Sequence, residues 1–274
     1  MLSKDEFVRW VEASHDLFEI FEGRYDAYPL ARKWIGEWFL NGEFTVKDPE
    51  KQRIANLISN INFDVFNIKD LSLQEKMKTQ LLLLLEKISE RRSNVGFAVS
   101  FFFFTWNLQR FRHYFSRKTN FSLLDYFENV GNEIGKLKKQ FKFFKNRDML
   151  SDNIYDEKIM ETYSKVNEIL KAAGTGNNEP IGTIKLLHIF CPYYFPLLDN
   201  SIAEQMGLKK KRVSVDAELY IKWMWKLKNW LGNYKEVVKE LENKYECSIL
   251  KLIDEGFYIM CSVNLHIRVS KLGL

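Results

Sequence analysis

The chain has 274 residues, with 41 lysines and arginines against 36 aspartates and glutamates and a formal net charge of +5. A composition of 46% apolar and 15% aromatic residues supplies a full core and argues against extended disorder. The charge surplus is ordinary for a globular protein, and the three cysteines, Cys191, Cys247 and Cys261, form no CxxC pair, which argues against a disulfide framework or a zinc knuckle.

Ser3 stands three residues before Glu6, the spacing of a capping box, and Phe7, Trp10, Val11, Leu17, Phe18 and Phe21 follow at broadly helical intervals. A first helix is therefore predicted to end near Gly23. Pro29 opens a second carrying Trp34, Ile35, Trp38 and Phe39, stopped by Asn41 and Gly42. Pro49 sits near the start of a third, before Ile54, Leu57 and Ile58. Ser72 and Glu75 repeat the capping-box spacing and lead into leucines 81–85, predicted as a helix buried on most sides. Between Arg92 and Arg110 run 17 uncharged residues that include phenylalanines 101–104. They are too few and too polar to span a membrane and read as a core helix packed beside the leucines, although a strand also fits so short an apolar run.

Residues 121–173 read as helices with charged outer faces, and 173–178 form the clearest loop. This loop places the main break and divides a helical region 1–173 from a second, 174–274. Beyond it 214–231 and 234–241 have helical periodicity, and 257–269 fits a helix or a terminal hairpin. The fold class is all-α, a multi-helix globular protein without internal repeats.

The densest basic run holds Lys136, Lys138, Lys139, Lys142, Lys145 and Arg147 with no acid among them, interleaved with Phe141, Phe143 and Phe144. On a helix the phenylalanines can turn inward and the lysines outward, which suits a phosphate backbone and equally suits plain solvation of a core helix. Arg110, Arg112, His113, Arg117 and Lys118 form a second run, and Lys209, Lys210, Lys211 and Arg212 a third. DNA is the partner these runs fit if they share a face.

His15, His113, His188 and His266 are scattered without HxxxH spacing, and neither GxxxxGK[ST] nor GxSxG occurs, so no metal or cofactor is expected. Gly131 and Gly135 have the GxxxG spacing in a context too polar for it to be informative. Asp254 and Glu255 are adjacent, so on a helix they share no face. The chain opens with acids instead of a basic-then-apolar leader, so a reducing, cytoplasmic compartment and no membrane partner are expected.

One stretch is more specific. Glu179, Pro180, Ile181, Gly182, Thr183, Ile184 and Lys185 lead through Phe195, Pro196, Leu197, Leu198 and Asp199 to Leu208. This segment, about 30 residues, resembles the hairpin-to-aspartate region of the helix-hairpin-helix DNA glycosylase-like superfamily. The resemblance implies an all-α fold in which Gly182 is the last hairpin glycine, contacting a DNA phosphate. It also implies that Asp199 stabilises the cationic sugar as the base leaves, with Lys185 as nucleophile. The chain departs from the family's Leu-Pro-Gly-Ile/Val-Gly hairpin by one glycine, and its lysine-to-aspartate spacing is shorter. Asp199 is also a good N-cap for a helix through Ile202 and Met206. Trp223, Trp225 and Trp230 are candidate walls for a flipped base, with core packing the plainer role of Trp223 and Trp230. Three readings therefore stand side by side. One is a DNA-associated relative of the glycosylases whose catalytic competence is open; the chief alternative is a non-enzymatic structural or interaction protein, for instance of a virus or mobile element, with a protein partner or a second copy; the third is a small-molecule enzyme whose site the sequence does not show, to which Asp254 and Glu255 lend no support.

Overall fold

The computed structural model describes residues 2–23, 26–61, 63, 68–117, 120–210 and 213–262, and every regular element among them is helical. In chain order these are α1 (Lys4–Phe21), α2 (Tyr28–Asn41), α3 (Asp48–Ser59), α4 (Leu71–Lys87), α5 (Val95–Trp106), α6 (Leu108–Arg117) and α7 (Leu123–Lys136). They continue with α8 (Lys138–Lys145), α9 (Asp156–Ala173), α10 (Pro180–Phe190), α11 (Asn200–Gln205), α12 (Ala217–Leu231), α13 (Lys235–Tyr245) and α14 (Ile249–Ser262). None is long and apolar enough to cross a membrane. Of the stretch 257–269, the first six residues close α14 and the rest lies outside the described residues.

Side-chain chemistry sets the helix starts. Ser3 and Glu6 form the expected reciprocal capping box at α1, and the Gly42 backbone, at φ 82°, closes α2 in the left-handed region glycine favours. The start of α4 corrects the expectation from Ser72: Asp70 is the N-cap, accepting from the Leu73 amide. An aspartate two residues upstream offers the charged acceptor to the same orphan amides, so it takes the cap. Asn94, Ser122 and Asp216 cap α5, α7 and α12 in the same way.

The chain divides into two compact units that interleave in sequence. One comprises Met1–Gly23, Gln140–Val166 and Thr183–Leu274; the other comprises Arg24–Lys139 and Asn167–Gly182.

In the unit built on 24–139, α5 is the core. It is a helix and not a strand, buried without interruption from Val95 to Phe104. Its principal neighbours are α2 and α7, whereas α4 packs chiefly on α3, α6 and α7, which corrects the expected pairing of the phenylalanines with the leucine run. Nor is that run buried on most sides: Leu81 and Leu84 are buried, Leu82 is exposed, and Leu83 and Leu85 are half-buried. Helical spacing keeps i, i+3 and i+4 of five consecutive residues on one side and turns the others away from it. Phe111 gathers Phe103, Phe104, Tyr114, Phe121, Tyr126 and Phe127 at centroid distances of 5.1–6.4 Å, mostly tilted or edge-on.

Helices α5 and α7 approach at two glycines. A Cβ on Gly96 would stand 1.9 Å from the Phe127 carbonyl oxygen, and one on Gly131 would stand 1.7 Å from Asn94 Oδ1 and 2.3 Å from the Gly96 nitrogen. The GxxxG spacing is therefore informative at its first glycine, while Gly135 meets nothing within 4 Å. Loop 174–179 in the same unit is tied down by the buried Glu179, which accepts from Tyr114 Oη at 2.5 Å and from Arg110 Nε at 2.5 Å.

In the other unit α1 packs on α14, closely enough that a Cβ on Gly256 would meet the Trp10 ring at 2.3 Å. Phe7 stacks on Tyr234 at 4.1 Å, and Trp230 meets both Phe7 and Trp10 edge-on. Trp223 and Trp230 are buried, as core packing requires, while Trp225 is exposed and donates to Asp156 at 3.1 Å.

Candidate functional site

The segment before Asp199 lacks regular structure, so its carbonyls need partners from elsewhere. Side chains supply three in succession. His188 Nδ1 donates to the Phe195 carbonyl at 2.7 Å, Tyr220 Oη to Pro196 at 2.7 Å and Trp223 Nε1 to Leu197 at 3.1 Å. All three donors are buried. They fix the approach to Asp199, whose Oδ1 accepts from the Ile202 amide at 2.7 Å and caps α11.

Asp199 is half-buried, and helix α11 packs on α14. Here the structure brings together two residues that the sequence pairs only through the resemblance. Lys185, half-buried on α10, lies within electrostatic reach of Asp199 and also of Asp254 on α14. Burial pushes the Lys185 ammonium below its ordinary value, against the pull of the two carboxylates. Burial also pushes Asp254 up to about 7; Asp199 and Glu255 add to the rise, while Lys251 and Lys185 oppose it. One amine held low and one carboxyl held near neutrality make a group in which a proton can be gained or released around pH 7.

The neighbouring turn of α14 carries a second, tighter set. Lys251 Nζ is 2.6 Å from Glu255 Oε1, and Glu255 Oε2 is 2.7 Å from His15 Nδ1 on α1. Both α14 side chains are buried, and Lys251 also lies 4.0 Å over the Phe18 ring. The hydrogen bond to Glu255 holds His15 above its ordinary value. Burial raises Glu255, but Lys251 and His15 together outweigh it and hold the carboxyl low.

None of His15, Lys251, Asp254 and Glu255 was a candidate from sequence. Adjacency argued against Asp254 and Glu255 as a pair, yet both act: Asp254 is within electrostatic reach of Lys251, Asp199 and Lys185, and Glu255 pairs with Lys251 and His15. Two lysines and three acids across α10, α11 and α14, in so apolar a helix as α14, were the available signal. Among the described residues no group of His, Cys, Asp and Glu is suited to hold a metal.

An NMR titration of the side-chain carboxyls is expected to give Asp254 a midpoint near 7, against about 4 for an ordinary aspartate. Lys251→Met should raise it further, because that lysine pulls it down. A midpoint near 4 in the unaltered protein would show that Asp254 is solvated.

The other candidates fare unequally. Gly182 is buried, and a Cβ there would meet the Phe103 ring at 3.0 Å and Leu170 at 3.2 Å, so packing alone accounts for the missing side chain. In the first basic run Phe141 and Phe144 turn inward as expected. Phe143 is half-buried, with Lys158 3.8 Å and Arg147 4.0 Å from its centroid. Lys139 and Lys142 are exposed, Lys145 is half-buried, and Lys136 is paired with Glu133. Lys138 departs from the outward fan: it donates to the Trp38 carbonyl at 3.1 Å and lies 4.3 Å over that ring. Lys209 is likewise turned inward, 2% exposed and 2.8 Å from Glu204, while Lys210 is exposed. Lys118, Lys211 and Arg212 lie outside the described residues.

No protein-family model, curated protein or solved structure matches this chain, and the residues around Lys185, Asp199 and Asp254 are therefore interpreted from their own chemistry.

Proposed function

We propose that this is a DNA-associated helical protein, a divergent relative of the helix-hairpin-helix glycosylase-like proteins, with Lys185 and Asp199 at its reactive centre. One observation supports the reading above the others. The lysine and aspartate that the resemblance singles out act on each other in one half-buried group with a third ionisable partner that is distant in sequence, Asp254. An amine whose charged form is disfavoured is a better nucleophile than an ordinary lysine, and a carboxylate beside it is placed to stabilise developing positive charge. Asp254, poised near 7, is the group to hold or release a proton there.

Binding to a short duplex and to its single strand, followed by fluorescence anisotropy from about 50 to 200 mM salt, tests the association, because phosphate contacts give a steep salt slope. Binding should weaken with salt and fall when Lys139 and Lys142 are made Gln. Asp199→Asn should then abolish any release of a damaged base while leaving affinity within a few-fold. Absence of binding to either DNA at about 50 mM salt would retire the reading.

The non-enzymatic reading has one observation of its own. The bond from the Ile202 amide to Asp199 accounts for the aspartate as a cap, worth about 1 kcal/mol. If Asp199→Ser preserves every DNA-dependent property, the cap is the whole of its role.

A further inference from the structure

Helix α6 has two chemically opposite faces. Leu108, Phe111, Tyr114 and Phe115 are buried in the aromatic core, and the other face carries Gln109, Arg112, His113, Ser116 and Arg117. These five recur at the i, i+3, i+4, i+7, i+8 spacing that lines one side of a helix. Arg112 is half-buried and the other four are exposed. The helix contains no carboxylate.

Of the elements packed around it, α7 sets Tyr126 and Phe127 against Phe111 and carries Glu128, paired with Arg91, Glu133, paired with Lys136, and Asp125, while α4 carries Glu75 beside Lys76. From α4, Lys76 lies 5.7 Å from the Phe115 ring centroid, a further cation beside the same helix. Helix α5 is uncharged. From loop 174–179 the single acid is Glu179, which is buried and engaged by Arg110 and Tyr114. Arg110 also donates to the Asn178 carbonyl at 2.8 Å, which anchors the start of the helix.

The geometry points to this face of α6 as a docking surface for the phosphodiester backbone of a nucleic acid, with Arg112, His113 and Arg117 as the contacting cations. The inference rests on the proposed DNA association and names the face that makes the contact, in a helix separate from the Lys185 group. Charge complementarity selects the partner: cations on a rigid helical face, with no acid between them, match a row of phosphates and read no base. Partial burial first, and after it the charges of Arg117, Arg112 and Arg110, hold the His113 imidazolium below its ordinary value, and the arginine part is what an anion beside the ring would offset. A phosphate placed there reverses that balance. Binding must therefore raise the His113 midpoint, and by linkage affinity must grow as pH falls through it.

The test uses the full chain and a short DNA duplex at about 50 mM salt, with a single strand and an RNA duplex as parallel arms. The His113 ring resonance, assigned with His113→Gln, is titrated with and without nucleic acid. Its midpoint should rise by about one pH unit on binding, since an opposite charge favours the charged form. Arg112→Gln/Arg117→Gln should raise the His113 midpoint in the unbound protein. It should also weaken duplex binding about tenfold and flatten the salt slope by about 2, at roughly 0.9 for each phosphate that is no longer neutralised. Stronger binding in one arm identifies the kind of nucleic acid that docks. If the duplex binds while His113 does not move and the double variant binds as tightly, this face is not the contact, and the DNA association survives. If nothing binds in any arm, both fall together.

Discussion

Lys251→Met is expected to cost about 3 kcal/mol in unfolding free energy, measured from urea denaturation at pH 7, the lower end of the penalty for breaking a buried ion pair, because the buried Glu255 keeps His15 as its one remaining partner. Lys251 and Glu255 are 1% and 4% exposed as side chains and stand 2.6 Å apart. Removing both charges together, as Lys251→Met/Glu255→Leu, should cost much less than the two single changes summed, the signature of coupling in a double-mutant cycle. Additive losses would show that the two side chains do not interact.

The same group predicts how stability follows pH. His15 is held above its ordinary value, so its contribution is complete below the unfolded value near 6.5 and is lost as pH rises through the folded one. Asp254, pushed up to about 7, acts in the same sense: its contribution is present below the unfolded aspartate value and disappears as pH rises through 7. Glu255 is held low, so its contribution is present above the unfolded glutamate value and is lost only as pH falls through the folded one. Lys185, held below its ordinary value, opposes the first two as pH rises. Asp254 is pushed up to about 7 and His15 is raised as well, so the denaturation midpoint should fall between pH 6 and pH 8. Asp254→Asn should flatten that dependence.

Gly131→Ala is expected to cost about 2–4 kcal/mol, at the upper end of overpacking penalties. The new methyl group would strike Asn94 Oδ1 and the Gly96 amide together. Asn94 cannot simply swing away. Its Oδ1 caps α5 by accepting from the Gly96 amide at 2.9 Å, and its Nδ2 donates to the Glu128 carbonyl and to Asn132. Losing that cap contributes about 1 kcal/mol of the total. Gly135→Ala, one turn along the same helix with nothing within 4 Å of its added carbon, should be neutral or stabilising by up to about 1 kcal/mol. Equal effects at the two glycines would contradict the close crossing of α5 and α7.

Much of this fold was legible because local chemistry determines it. The Ser3 and Glu6 box, the Gly42 stop and the Asp199 cap are contacts within four residues, so spacing alone reports them. Composition alone distinguished a core helix from a membrane span in the phenylalanine run, and periodicity placed Trp34, Trp38, Trp223 and Trp230 inside. What spacing could not report was partnership. Leucines 81–85 look uniformly apolar, but which of them is buried depends on which helices lie against α4. Lys138 and Lys209 look like their exposed neighbours until Trp38 and Glu204 are seen to claim them. Gly131 gains its meaning only from Asn94 and Gly96, which belong to the start of another helix.

The candidate site divides along the same line. Sequence by itself supplied a lysine, an aspartate and the cap that orients the aspartate. Only the tertiary structure supplied Asp254 beside them, the buried Lys251 and Glu255 with the half-buried His15 next to it, and the three donors that pin the approach to Asp199. The physical reason is range. Caps and periodicity are decided by backbone geometry over one or two turns, whereas the charge state of a half-buried group is decided by whatever the fold packs around it.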